Sequence, residues 1–118
     1  MIEAIDHVQL AAPAGCEEIA RQFFGEVCGL EEIPKPEPLA ARGGVWFRCG
    51  AQELHIGVEQ DFTPSRKAHL AFRLGTVEDL KALADEIGDV RWDDELDGYE
   101  RFYAADPFGN RVEFLAAR

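Results

Sequence analysis

Residues 6–12 read DHVQLAA and residues 68–74 read AHLAFRL. In the first, Val8 and Leu10 alternate with His7 and Gln9; in the second, Leu70, Phe72 and Leu74 alternate with His69 and Arg73. A period of two is the pattern of a half-buried strand, so strands are expected over 5–11 and 68–74. A helical pattern follows each. The first runs from about Cys16 to Cys28, with Ile19, Phe23 and Val27 at four-residue intervals and Ala20 and Phe24 beside them. Glu17 and Glu18 sit in its first turn, where carboxylates favour the positive end of the helix dipole, and Gly29 is placed to close it. The second begins at Thr76, whose hydroxyl can cap a free N–H. It carries Leu80, Leu83, Ala84 and Ile87 as its apolar stripe and ends at Gly88.

Strands are also expected over 45–49, 52–58, 101–105 and 111–115, and Arg91-Trp92 begins another. Gly50-Ala51 and the run Asp106 to Asn110 are turn signals. Pro34, Pro36 and Pro38 stiffen an irregular connection, while 59–67 and 93–100 read as exposed loops. The order strand, helix, two or three strands therefore occurs twice. His7 corresponds to His69, 62 residues later; Glu53 lies 46 residues after His7, and Glu113 lies 44 after His69. This internal repeat predicts an α+β chain of two βαβββ modules, about 1–58 and 66–118, with helices on one side of a mixed sheet.

Composition narrows the functional classes. A chain of 118 residues with 47% hydrophobic content has the size and apolar content of one domain. Cys16, Cys28 and Cys49 are odd in number and lack CxxC spacing, which suggests packing residues in a reducing cytosol. The opening MIEAIDHVQL has neither the basic nor the apolar region of a signal peptide, and no run approaches the roughly 20 apolar residues of a membrane span. A net charge of -11 repels phosphate backbones and argues against nucleic acid as a partner. A cytoplasmic protein with a small-molecule partner is the expectation.

Strand phase then sorts the polar residues. Leu54, Ile56 and Val58 oppose Glu53 and His55; Val112 and Phe114 oppose Arg111 and Glu113; Phe102 and Ala104 oppose Arg101 and Tyr103. All three histidines of the chain, with Glu53 and Glu113, thus lie on the faces turned away from the apolar core. A merely solvated face would carry Thr, Ser, Lys and Glu in no special arrangement. Two imidazoles and one or two carboxylates suit zinc, nickel, manganese or iron(II), with positions left open for substrate. Arg48, Arg73 and Arg101 can fork an anionic substrate or pair with the abundant carboxylates. Trp46 and Tyr103 can hold a planar ligand part or pack into the core.

The stretches IDHVQLA, ARQFFGEVCGLEE, GAQELHIGV, KAHLAFRL and above all RFYAADPFGNRVEFL resemble the glyoxalase/bleomycin-resistance/extradiol-dioxygenase superfamily, the vicinal oxygen chelate proteins, along nearly the whole chain. The resemblance implies a single glyoxalase-like domain over 1–118, a cupped sheet with helices outside, and a divalent metal in its hollow. It also implies a homodimer, or two modules closing within one chain. Carried over residue by residue, it makes His7, His69 and Glu113 metal ligands and aligns Glu53 with a fourth. His55 stands two residues further on, so the fourth ligand is open between Glu53 and His55, the latter also suited to face substrate. The activity implied is metal-assisted proton transfer on a small carbonyl or thiol-adduct substrate, a lyase or isomerase of glyoxalase type with Glu113 or Glu53 as base. Two alternatives accompany it: a metal-independent antibiotic-binding protein of bleomycin-resistance type, and a thiol transferase of fosfomycin-resistance type. Extradiol dioxygenases generally carry four modules where this chain has two.

Overall fold

Both quoted stretches become the first strand of a four-stranded mixed sheet. In the computed structural model, which describes residues 1–118, these sheets belong to two units, Met1–Pro64 and Ser65–Arg118. The first unit runs β1 (His7–Ala12), a helix, β2 (Glu31–Ile33), β3 (Val45–Cys49) and β4 (Gln52–Val58). The second runs β5 (Leu70–Arg73), α2 (Val77–Ile87), β6 (Arg91–Asp93), β7 (Tyr99–Ala105) and β8 (Arg111–Ala117). The strand orders are β1-β4-β3-β2 and β5-β8-β7-β6, with first and last strands parallel and the other neighbours antiparallel. Each unit is thus a βαβββ module of the α+β class. No helix is long and apolar enough to cross a membrane.

The strands at 45–49 and 52–58 lie where alternation places them, and 91–93 forms an edge strand. β2 went unread because three residues before a proline-rich stretch are too few to show a period. The first helix departs from expectation in two ways. Its α-helical part, α1 (Glu17–Ala20), continues without a break into a π-helical stretch, Arg21–Val27, whose Cys28 N–H bonds to the Phe23 carbonyl at 2.8 Å. Its buried face is Cys16, Ala20 and Phe24 rather than the Ile19, Phe23 and Val27 stripe, and Ile19 is left 49% exposed. The small Cys16 and Ala20 permit close approach, and Phe24 then packs on Phe47 with ring centroids 6.0 Å apart. Gly29, at φ +78°, closes the element. In the second unit Thr76 Oγ1 accepts the Asp79 N–H at 3.0 Å, and α2 buries Leu80, Leu83 and Ala84. Phe72 and Phe102 stack on Phe114 at 5.5 and 5.1 Å.

Carboxylates pin the backbone at the ends of inner strands in both sheets. Asp106 Oδ1 accepts the N–H groups of Phe108 and Asn110, both at 2.9 Å, and its Oδ2 accepts Asn110 Nδ2 at 2.9 Å. Burial pushes its carboxyl above the ordinary range, against those hydrogen bonds. Asn110 Oδ1 in turn accepts the Ser65 N–H at 3.0 Å, and the Ser65 carbonyl accepts the Arg111 N–H at 2.8 Å. In the first unit Glu17 Oε2 accepts the Gly44 N–H at 2.6 Å. Gly44 has φ +86°, and a Cβ there would lie 2.1 Å from the Ile56 carbonyl oxygen.

Gly44→Ala therefore meets both a left-handed backbone and a hard contact. Its expected cost is at least about 1–3 kcal/mol from the backbone alone, read by urea denaturation. The Gly44 N–H holds the Glu17 carboxyl below its ordinary 4.5. A depressed folded pKa contributes stability that is present above the ordinary value and lost as pH falls through the folded one. Wild type and Glu17→Gln should accordingly differ in stability near neutral pH and converge in acid.

Candidate functional site

Register decides which polar side chains meet. In the first unit Gln9 pairs with His55 across β1 and β4, and Trp46 pairs with His55 across β3 and β4. His7 pairs with Glu53, which is also opposite Arg48. All of these side chains share one face, because they lie an even number of residues apart on each strand. The His55 ring is held between two others: Trp46, with centroids 3.8 Å apart and planes 3° apart, and His7, at 4.2 Å and 16°. Only 5% of His55 is exposed, and its Nε2 lies 2.9 Å from Glu53 Oε1. Glu53 and His55, read as alternatives, are hydrogen-bonded partners. His7 is half-exposed, with Nδ1 2.9 Å from Asp6 Oδ2. This face opens on a hollow of about 420 Å³ whose wall includes His7, Gln9, Lys35, Trp46 and His55.

In the second unit Ala71 and Tyr103 flank Glu113 on either side across the ladder. His69, two residues before Ala71, reaches along the same face and places Nε2 3.0 Å from Glu113 Oε1. Arg101 Nη1 lies 3.4 Å from Glu113 Oε2, and Arg101 Nε donates to Asp93 Oδ1 at 3.0 Å. Glu113, 7% exposed, thus has a polar partner on each oxygen. The Glu95 N–H, followed by Arg101, holds the Asp93 carboxyl below its usual range. Tyr103 meets the His69 ring edge-on at 5.6 Å.

The second ring nitrogen of His69 limits what this pair can do. Nδ1 lies 2.9 Å from the Lys67 carbonyl, which can only accept, so Nδ1 carries a hydrogen. In the neutral ring Nε2 then presents a lone pair to a carboxylate oxygen, and two acceptors at that distance require a positive centre between them. A second proton is one such centre; a divalent cation is another. A backbone carbonyl that fixes the tautomer and frees Nε2 is the usual support of a metal-binding histidine. Nitrogen and carboxylate oxygen also suit the ions expected from the sequence. The pair fits such an ion, although within each unit no group of three or more His, Cys, Asp or Glu side chains gathers with metal-holding geometry.

By ladder position the counterpart of Glu113 in the first unit is His55, and that of Tyr103 is Trp46. The correspondence of Glu53 with Glu113, read from spacing alone, is therefore displaced by two residues. Arg48 and Arg73 are exposed on β3 and β5 with no ion pair, whereas Arg101 is committed to Asp93 and Glu113. Asp93 and the Lys67 carbonyl were not legible in advance. The first lies in a segment read as loop, and a backbone carbonyl leaves no mark on side-chain identity.

Neither family models nor curated protein sequences match this chain. Solved structures do. A glyoxalase family protein from Bacillus anthracis is 53% identical, with 100% of this chain and 98% of that chain covered and a TM-score of 0.94. Lactoylglutathione lyase from Agrobacterium tumefaciens shares the fold at 23% identity, covering 98% of this chain and 94% of that one, with a TM-score of 0.74. A fosfomycin resistance protein from Listeria monocytogenes does so at 17% identity, covering 100% and 96%, with a TM-score of 0.75. With its paired βαβββ modules and whole-length identity to the first of these, the chain belongs to the glyoxalase family of the vicinal oxygen chelate superfamily.

Proposed function

We propose that this protein is a divalent-metal-dependent enzyme of glyoxalase type that acts on a small carbonyl or thiol-adduct substrate by proton transfer. The observation that carries the reading is the His69–Glu113 pair, with Nδ1 tied to a carbonyl and Nε2 turned to a carboxylate. The ligands expected from the sequence fall into two pairs, one per unit. His69 and Glu113 would hold the ion in the second, and His7 with either Glu53 or His55 would be the candidate donors of the first. A bound ion supplies Lewis-acid polarisation of a carbonyl oxygen. The remaining work falls to the chain itself. Arg101 holds one oxygen of Glu113 and offsets its charge, while a carboxylate, Glu113 or Glu53, takes the proton from the carbon beside the carbonyl. His55 holds Glu53 Oε1 in place, and the rings on both sides of it prevent the imidazole from swinging away. Trp46 and His7 present flat surfaces to a planar substrate part.

The net charge of -11 favours a second reading, sequestration of a cationic antibiotic without metal. Such binding would be salt-sensitive and indifferent to chelators. We also propose a closed two-fold homodimer, the commonest form of soluble oligomer. Light scattering should then return twice the 13.1 kDa chain mass, and a value at the chain mass would contradict it.

Protein purified without a histidine tag should contain about one divalent ion per chain by elemental analysis, and His69→Ala should lose most of it. No uptake after reconstitution with zinc, nickel, manganese or iron(II) would remove the metal reading. A screen of methylglyoxal with several thiols, other α-oxo aldehydes and fosfomycin should find turnover. Glu113→Gln should lower that turnover by at least about 10²–10⁴-fold, the usual cost of a lost general base.

A further inference from the structure

The second unit has a hollow of about 500 Å³ beside the His69–Glu113 pair, and none of the residues assigned above except Tyr103 lines it. Three arginines do: Arg66, Arg91 and Arg111. Arg21, Arg101 and Arg118 are held in ion pairs, whereas the other six arginines of the chain are not; what sets Arg66, Arg91 and Arg111 apart is that they line one hollow. These three have no ion pair, although Asp89 also lines the hollow.

Their placement is built by the backbone. Arg91 is directly opposite Tyr103 across β6 and β7, and Tyr103 is directly opposite Glu113 across β7 and β8. Arg111 precedes Glu113 by two residues and so lies on the same face. Its guanidinium rests 4.1 Å above the Tyr103 ring, a cation–π contact that fixes the plane yet leaves N–H edges for a ligand. Arg66 is brought alongside by the two hydrogen bonds that tie Ser65 to Asn110 and Arg111. Ala104, Ala105 and Gly109 line the same hollow with little bulk.

We propose that this hollow is an oxyanion-binding pocket that receives a carboxylate or phosphate group of the substrate. Three guanidiniums against one carboxylate leave a local excess of two positive charges in a molecule that otherwise repels anions. Tyr103 touches both Arg111 and His69, so the bound group lies beside the His69–Glu113 pair, whose carboxylate is one of the two proposed as base. One strand spacing, about 4.8 Å, separates Tyr103 from Arg91 on one side and from Glu113 on the other. Arg91 and Glu113 are therefore two strand spacings, roughly 10 Å, apart at the backbone, a span within reach of a small substrate with an anionic group at one end and a carbonyl at the other. The link to substrate rests on the functional reading above; the binding of an oxyanion does not, because no metal ligand takes part.

NMR titration of the intact protein with inorganic phosphate and, separately, with acetate tests this at constant ionic strength, both before and after zinc loading. Saturable binding is expected in both states, with shifts at Arg66, Arg91, Tyr103 and Arg111. The stronger of the two probes identifies the group as tetrahedral or planar. Arg111→Gln should weaken binding tenfold or more. Arg91→Gln, on an exposed edge strand, should do the same without disturbing the fold, while Arg118→Gln should leave binding unchanged. No saturable binding, or equal loss in all three variants, would overturn the pocket. Metal uptake that persists when phosphate fails to bind leaves the enzyme reading standing, and phosphate binding without metal uptake does the reverse.

Discussion

In each unit the first strand runs parallel to the last, and the hydrogen-bonded register between them sets every other contact on the polar face. With Gln9 against His55 and Ala71 against Glu113, an imidazole two residues back, His7 on β1 and His69 just before β5, is carried to the side chain of the last strand. Parallel neighbours cannot be joined by a short turn, so a long crossover must intervene, and here it is a helix followed by two further strands. The crossover helix thus follows from placing those two strands side by side. The helix covers the apolar face, and the antiparallel strands extend the polar one.

What the register yields differs between the units. The first contains a stack, Trp46–His55–His7, whose middle ring is almost wholly enclosed and bonded to Glu53. The second contains a charge network in which Glu113 is shared by His69 and Arg101, and Arg101 is shared with Asp93. Removing one member would leave a mostly buried carboxylate short of a partner, so the network behaves as a unit rather than as separate pairs. Arginine positions carry a second distinction. Arg101 is consumed in holding Glu113, whereas Arg66, Arg91 and Arg111 remain unpaired around Tyr103.

Much of this was legible in the residues because two-residue alternation is a strong signal when one face is buried. It placed His7, Glu53, His55, His69 and Glu113 on polar faces, and a two-residue error preserves the face. The same property hid the true correspondence: spacing matched Glu53 to Glu113, whereas the ladder matches His55 to it. The first helix is legible in the sequence with Ala20 and Phe24 on its apolar side, but the four-residue stripe centres on Ile19, since a count of apolar residues prefers Ile19 to Ala20, while close packing prefers the smaller side chain. The Lys67 carbonyl and the Arg66 placement depend on backbone bonds, which residue identity does not reveal.

The proposed function requires His69 to carry its hydrogen on Nδ1, so that Nε2 can share a cation with Glu113. Proton–nitrogen NMR correlation of the histidine rings, recorded before and during addition of zinc, tests it most directly. His69 is expected to keep its hydrogen on Nδ1, and its Nε2 resonance to move to a metal-bound position as zinc saturates. A His69 ring that carries its only hydrogen on Nε2, or whose Nε2 is unmoved at saturating zinc, would contradict it.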